Sequence, residues 1–241
     1  MERLLTSVHD LLDPETADTP PQADAPKPFF PLGLKCSILH NVACGLAYLH
    51  ERSPPVIHRD LSARNVLLTS GMVAKIADLG VARIIPRMRA AATMTRGPGA
   101  IIYMPPEAME EKPDDEDVSK AKYDASIDMF SFGIVSIFTL CQIFPDKLLA
   151  PNYRKDGRLI GRTELERRER YMKMIYSQLR EKHPLLQMIE GCLDFPEECL
   201  SIHEVLHLLE EARAEENADL QSRVEQLQLQ IQSRNHVGVI A

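Results

Sequence analysis

Val56-Ile57-His58-Arg59-Asp60-Leu61-Ser62-Ala63-Arg64-Asn65-Val66-Leu67-Leu68-Thr69 is the stretch on which the reading of this chain turns. Two short apolar, β-branched runs, 56–57 and 66–69, enclose a polar octet, which is the pattern of strand, loop, strand. A third strand-like run, Val73 to Ala77, follows and opens directly onto Asp78-Leu79-Gly80, so Asp78 stands thirteen residues after Asn65. Upstream, Ile38, Val42, Leu46 and Leu49, with Leu39 and Ala43 beside them, repeat at helical spacing from Leu32 until Pro54 and Pro55. That spacing predicts one long amphipathic helix leading into the first strand.

Farther along, Asp124 to Ile143 is nearly continuous apolar sequence, with Phe130, Phe132, Ile134, Val135, Ile137 and Phe138, and predicts a helix buried on most sides. Helical patterns recur at Glu164 to Glu181, at Pro184 to Leu193 and from near Ser201 toward Arg234. Met1 to Leu12 reads as a short helix. Pro14 to Pro31 carries six prolines, which deny a helix its backbone donors, and reads as a loop. The acidic run Glu110 to Asp117 reads as a solvated loop. The fold class expected is mainly α with a few short strands.

The 241 residues are 44% hydrophobic, enough for a well-filled core. A net charge of −7 argues against a large electropositive nucleic-acid or anionic-membrane footprint, although Arg87 to Arg96 forms a local basic stretch. The five cysteines form no C-x-x-C pair and stand near no histidine at zinc spacing, so reduced, mostly buried thiols are expected. His9, His40, His50, His183, His203 and His207 show no metal spacing and receive no role. The first residues lack a basic start and apolar run, and Ile134 to Leu140 is too short to cross a bilayer. A cytoplasmic protein with no membrane span is the expectation.

His58 to Asn65 matches H-R-D-L-x-x-x-N at every fixed position. Asp78-Leu79-Gly80 is similar to D-F-G, with leucine keeping apolar packing. Pro105-Pro106-Glu107 stands where A-P-E would, and Asp128-Met129-Phe130-Ser131-Phe132-Gly133 resembles the start of a central helix. In this order and spacing the chain resembles the larger, C-terminal lobe of a protein kinase, from Met1 to about Glu211. The resemblance implies an α+β lobe: 1–13 as an inter-lobe segment with a short helix, 14–31 as a Pro-rich loop, 32–211 as the lobe, and 212–241 as a helical tail. It implies phosphoryl transfer from ATP to a protein Ser, Thr or Tyr hydroxyl, a reaction that asks mainly for positioning and charge neutralisation. Asp60 is then the catalytic base, Arg64 and Asn65 belong with it, and Asn65 and Asp78 hold Mg²⁺ and meet the nucleotide. Thr93 and Thr95, in the basic stretch ending at Arg96, read either as ordinary loop hydroxyls or as activation-segment phosphosites that would pair with Arg59.

The sequence departs from the family in several places. It contains no glycine-rich phosphate loop, no strand lysine for the phosphates and no partnering helix glutamate. Cys199 and Leu200 replace an Arg-Pro pair whose arginine would bond Glu107, and Ala100 replaces a threonine. Ser62 and Arg64 resemble the tyrosine-kinase catalytic loop, whereas Tyr103 to Glu107 is similar to the tyrosine-kinase-like group, whose members mostly modify serine or threonine. Three readings follow: a phosphoryl-transfer domain acting on a protein substrate, a catalytically inactive lobe that binds a partner protein, or a fragment of a longer kinase. After Glu211, Leu220, Val224, Leu227 and Ile231 alternate four and three apart, the spacing of a short coiled-coil seam. Self-association through 220–231 and an extension of the last helix both fit it.

Overall fold

The computed structural model describes residues 4–12, 30–84, 100–105, 123–142, 172–173, 175–176, 179, 183–194 and 198–237. Within them lie β1 (Leu4–Ser7), α1 (Val8–Leu12), α2 (Leu32–His50), β2 (Val56–Ile57), β3 (Val66–Thr69), β4 (Ala74–Ile76), β5 (Arg83–Ile84), α3 (Tyr123–Cys141), α4 (Pro184–Cys192) and α5 (Ile202–Val237). Single 3₁₀ turns at Leu79–Val81 and Ala100–Tyr103 complete the order. Helix predominates, with a few antiparallel strands, as the hydrophobic periods require.

The core is α3 and what surrounds it. Phe130, Phe132, Ile134, Val135, Ile137 and Phe138 are buried around the whole circumference of this helix. Its hydroxyls cause no loss there, because Ser131, Ser136 and Thr139 donate to the carbonyls of Ile127, Phe132 and Val135, each four residues back. Helix α2 lays Ile38, Leu39, Val42, Ala43 and Leu46 into the same core, and Lys35 Nζ donates to the Leu140 carbonyl at 2.7 Å, tying its first turn to the end of α3. Helices α4 and α5 close the remaining side, α4 against α3 and α5 against α2 and α4. Gly133 permits that approach: a Cβ there would stand 2.9 Å from Leu193 Cδ2.

The last two helices begin where the sequence places them. Pro184 opens α4, where its missing N–H costs nothing, and His183 Nδ1 accepts the Leu185 N–H at 3.1 Å. Ser201 and Glu204 form a reciprocal capping box at α5: the Ser201 hydroxyl accepts the Glu204 N–H at 3.3 Å, and the Glu204 carboxylate accepts the Ser201 N–H at 2.7 Å. The Ser201 hydroxyl also donates to the Glu204 carboxylate at 2.7 Å, and this bond, with that from the Ser201 N–H, holds the Glu204 carboxyl below its usual range. Leu200, in the position of the absent proline, bonds the Gly191 carbonyl at 3.1 Å and packs on that glycine, where a Cβ would collide with it.

Several expectations need correction. Residues 4–7 are strand, not the first turns of a helix, because they pair antiparallel with β3 through Leu4–Thr69, Thr6–Leu68 and Ser7–Leu67; cross-strand partners far away in sequence override local propensity. Leu79 is 52% exposed and does not keep the apolar packing expected of it. Of the thiols, Cys36 and Cys192 are buried, Cys141 and Cys199 partly so, and Cys44 is exposed, all of them free. Burial pushes the Cys36 and Cys141 thiols up to about 11. Helix α2 is long and apolar enough to cross a membrane, with a mean hydropathy of 1.3, although 39% of that window is buried within the fold. The loop 14–31, the acidic run 110–117 and most of the helix expected at 164–181 lie outside the described residues, although 172–173 and 175–176 are helical and Ile175 is buried.

Candidate active site

Two strand pairings bring the polar segments together. Strand β3 pairs with β4 through Val66–Ile76, and β2 pairs with β5 through Ile57–Arg83, both antiparallel. Residues 58–65 and 77–82 are therefore the two connections between the same pair of ribbons, and must run side by side. Two bonds fasten them: the Ala77 N–H donates to the Asn65 carbonyl at 2.8 Å, and His58 Nε2 donates to the Ala77 carbonyl at 3.0 Å. With Nε2 carrying the hydrogen, His58 Nδ1 is the acceptor for the Asp60 N–H at 3.3 Å.

Within this frame Asn65 grips Asp60. Its Nδ2 donates to the Asp60 carbonyl at 2.6 Å and to a carboxylate oxygen at 3.1 Å, so Asn65 Oδ1 is turned the other way. Burial pushes the Asp60 carboxyl above its ordinary value; the Asn65 bond and the His58 ring pull it down, and the negative charge of Asp78 pushes it up again. Asp78 has a left-handed backbone, φ 63° and ψ 69°, and one carboxylate oxygen accepts the Gly80 N–H at 3.2 Å. A non-glycine residue held in that region is uncommon and clusters at functional sites. Arg59 is a second one, at φ 68°.

The support of the loop is Asp128, whose role the sequence reading missed. It is fully buried, and its carboxylate accepts three hydrogen bonds of 2.8 Å: from the Arg59 N–H on one oxygen, and from the His58 N–H and His50 Nε2 on the other. His50, to which no role was assigned, thus links the end of α2 to α3 and the loop. A carboxylate directly preceding the apolar run Met129 to Leu140 was the available signal, since a buried acid needs partners.

An open surface recess of about 370 Å³ lies beside the site at Arg64, lined by Leu4, Leu5, Thr6, Ser7, Asp10, Arg64 and Leu67. Burial pushes the Asp10 carboxyl up, but hydrogen bonds from Ser7 and His9 and the charges of His9 and Arg64 hold it below its ordinary value. Of the residues singled out from sequence, the structure gathers Asp60, Asn65 and Asp78 at one place and sets Arg64 on the wall of the recess. Arg59 carries one of the loop's two backbone bonds to Asp128. Thr93, Thr95 and Glu107 lie outside the described residues.

The site presents two carboxylates and an amide oxygen, a donor set that suits a hard cation. Among the described residues no cluster of three or more His, Cys, Asp or Glu side chains is arranged to hold a metal alone.

Residues 23–183, more than half the chain, match the family model described as protein tyrosine and serine/threonine kinase. The chain is 35% identical over 112 residues to receptor-interacting serine/threonine-protein kinase 2 of Bos taurus, covering 45% of this chain and 19% of that protein. It is 34% identical over 125 residues to serine/threonine-protein kinase STY46 of Arabidopsis thaliana, covering 52% and 19%. Over 104 residues it is 36% identical to cysteine-rich receptor-like protein kinase 10 of Oryza sativa subsp. japonica, covering 43% and 15%. The matches thus span less than a fifth of these relatives' own length.

Proposed function

The chain belongs to the protein tyrosine and serine/threonine kinase family, and from that premise we propose that it supplies the C-lobe half of a site transferring the γ-phosphoryl of ATP to a protein hydroxyl. The convergence of Asp60, Asn65 and Asp78 carries this reading. Asp60 accepts the proton of the attacking hydroxyl. Its carboxyl, raised by burial and by Asp78, is a stronger base than an exposed aspartate. Asn65 Nδ2 fixes Asp60 by donating one bond to its backbone carbonyl and one to its carboxylate, and keeps Oδ1 for the cation. Asp78 offers the oxygen not engaged by Gly80. Mg²⁺, when bound, neutralises charge on the phosphate oxygens. Leu4, Leu5 and Leu67 give the adjoining recess apolar walls for a planar base, and Asp10 gives it an acceptor for hydroxyls.

In this reading residues 32–211 are the lobe, 1–13 the segment that would meet a second lobe, and 212–241 a tail. The acceptor is a serine, threonine or tyrosine of a protein. Two of the three relatives above are named serine/threonine kinases, which favours the first two. Isothermal calorimetry of the 241-residue chain with Mg·ATP tests the assignment. Weak binding is expected, lowered at least about tenfold, or ~1.4 kcal/mol, by Asp78→Asn. Equal affinity in the variant would remove Asp78 from the metal site.

A further inference from the structure

Helix α5 carries two apolar stripes on different lines. The first, Ile202, Val205, Leu209 and Ala212, is buried against the rest of the fold. Continued at the same spacing it would meet Glu216, Asp219, Arg223 and Gln226, all polar. The Glu216 side chain still lies over Gly33 at the start of α2, and residues 217–229 beyond it are exposed. The second stripe, Leu220, Val224, Leu227 and onward in sequence to Ile231, is displaced from the first by one position, about 100° around the helix. Leu220, Val224 and Leu227 are 47, 51 and 58% exposed. A helix laid on this second line runs beside the first stripe's contacts and does not compete with them.

We propose that residues 217–234 form a parallel, two-stranded coiled coil with a second copy of this chain. The residue types specify the occupant. With Leu220 and Leu227 at d, the a positions hold Asn217, Val224 and Ile231; β-branched residues at a with leucine at d favour parallel dimers, and one asparagine at a fixes register and a two-stranded state. In that register the residues flanking the seam pair as Glu216 with Gln221 and Arg223 with Gln228 of the other copy. No like charges meet: Glu216 and Arg223 are of opposite sign and each faces a neutral glutamine of the other copy, so the flanks show no single-sign stripe that would call for an oppositely charged partner. The seam is short, and Arg234 ends it. Short helices fail in isolation because nucleation is costly, but α5 is already anchored over 202–212, and the Asp219–Arg223 ion pair, 3.9 Å apart, supports the extension.

Sedimentation velocity of the full 241-residue chain across a concentration series tests the proposal. A reversible monomer–dimer equilibrium is expected, weakened at least about tenfold, ~1.4 kcal/mol, by Leu220→Glu with Leu227→Glu. Leu229→Glu, at a still more exposed leucine off the seam, should leave it unchanged. Mild oxidation of Asn217→Cys should link two copies faster than the parent chain, because only parallel pairing brings the two 217 positions together. A monomer at every concentration, a dimer indifferent to the double substitution, or no gain in linkage at Asn217→Cys would each overturn it.

Discussion

Replacing Asp128 with alanine is expected to destabilise the chain by about 3–5 kcal/mol, the scale for removing one partner of a buried charged network. The substitution strands two backbone N–H groups and a ring N–H at once, and His58 is fully buried, so water cannot replace the lost acceptor. Arg59 also loses the bond that accompanies its left-handed backbone. Urea unfolding supplies the number, and amide exchange at His58 and Arg59 supplies the place: both amides should exchange far faster while α2 and α3 stay protected. A loss below about 1 kcal/mol, the scale of one ordinary hydrogen bond, with slow exchange retained, would show that the loop is held by something else.

The second large effect concerns turnover. The 241-residue chain by itself is expected to transfer phosphate at least about 100-fold more slowly than the roughly 1–100 per second of ordinary kinases, even though Asp60, Asn65 and Asp78 are in place. In-line transfer needs the triphosphate aligned from both sides, and a misplacement of about 1 Å costs on the order of 100-fold. The glycine-rich backbone donors and the strand lysine that would align it are not among these residues. A radiolabelled phosphate-transfer assay with an Asp60→Asn control decides the matter. Asp60-dependent turnover near 1 per second would mean that the catalytic-loop half suffices.

The candidate catalytic loop was legible in the sequence because the proposed chemistry asks for residue types at fixed separations: an acid, then an amide five residues on, then a second acid after a strand. Strands β2, β3 and β4 were legible as short apolar or β-branched runs cut off by polar loops, whereas β5, only Arg83–Ile84, has too little sequence to announce itself and is made a strand by its pairing with β2. What escaped was non-local. The sequence contains Asp128 and His50 but says nothing of their distance, since the bond between them joins positions 78 apart. Strand β1 escaped likewise, because Leu4 to Ser7 continues smoothly into the apolar pattern of α1 and only β3 makes it a strand. The exposed Leu79 shows the converse limit: an apolar residue in a motif does not say which surface will cover it.

The most direct measurement of the central claim is the effect of Mn²⁺·ATP, in place of Mg²⁺·ATP, on the backbone amide resonances of the chain. Paramagnetic broadening falls off steeply with distance, so it reports where the metal sits. The account predicts selective broadening of Asn65, Asp78, Gly80 and Asp60, and its loss in Asp78→Asn. Broadening centred elsewhere, or unchanged by that substitution, would contradict the assignment of this site to metal-assisted phosphoryl transfer.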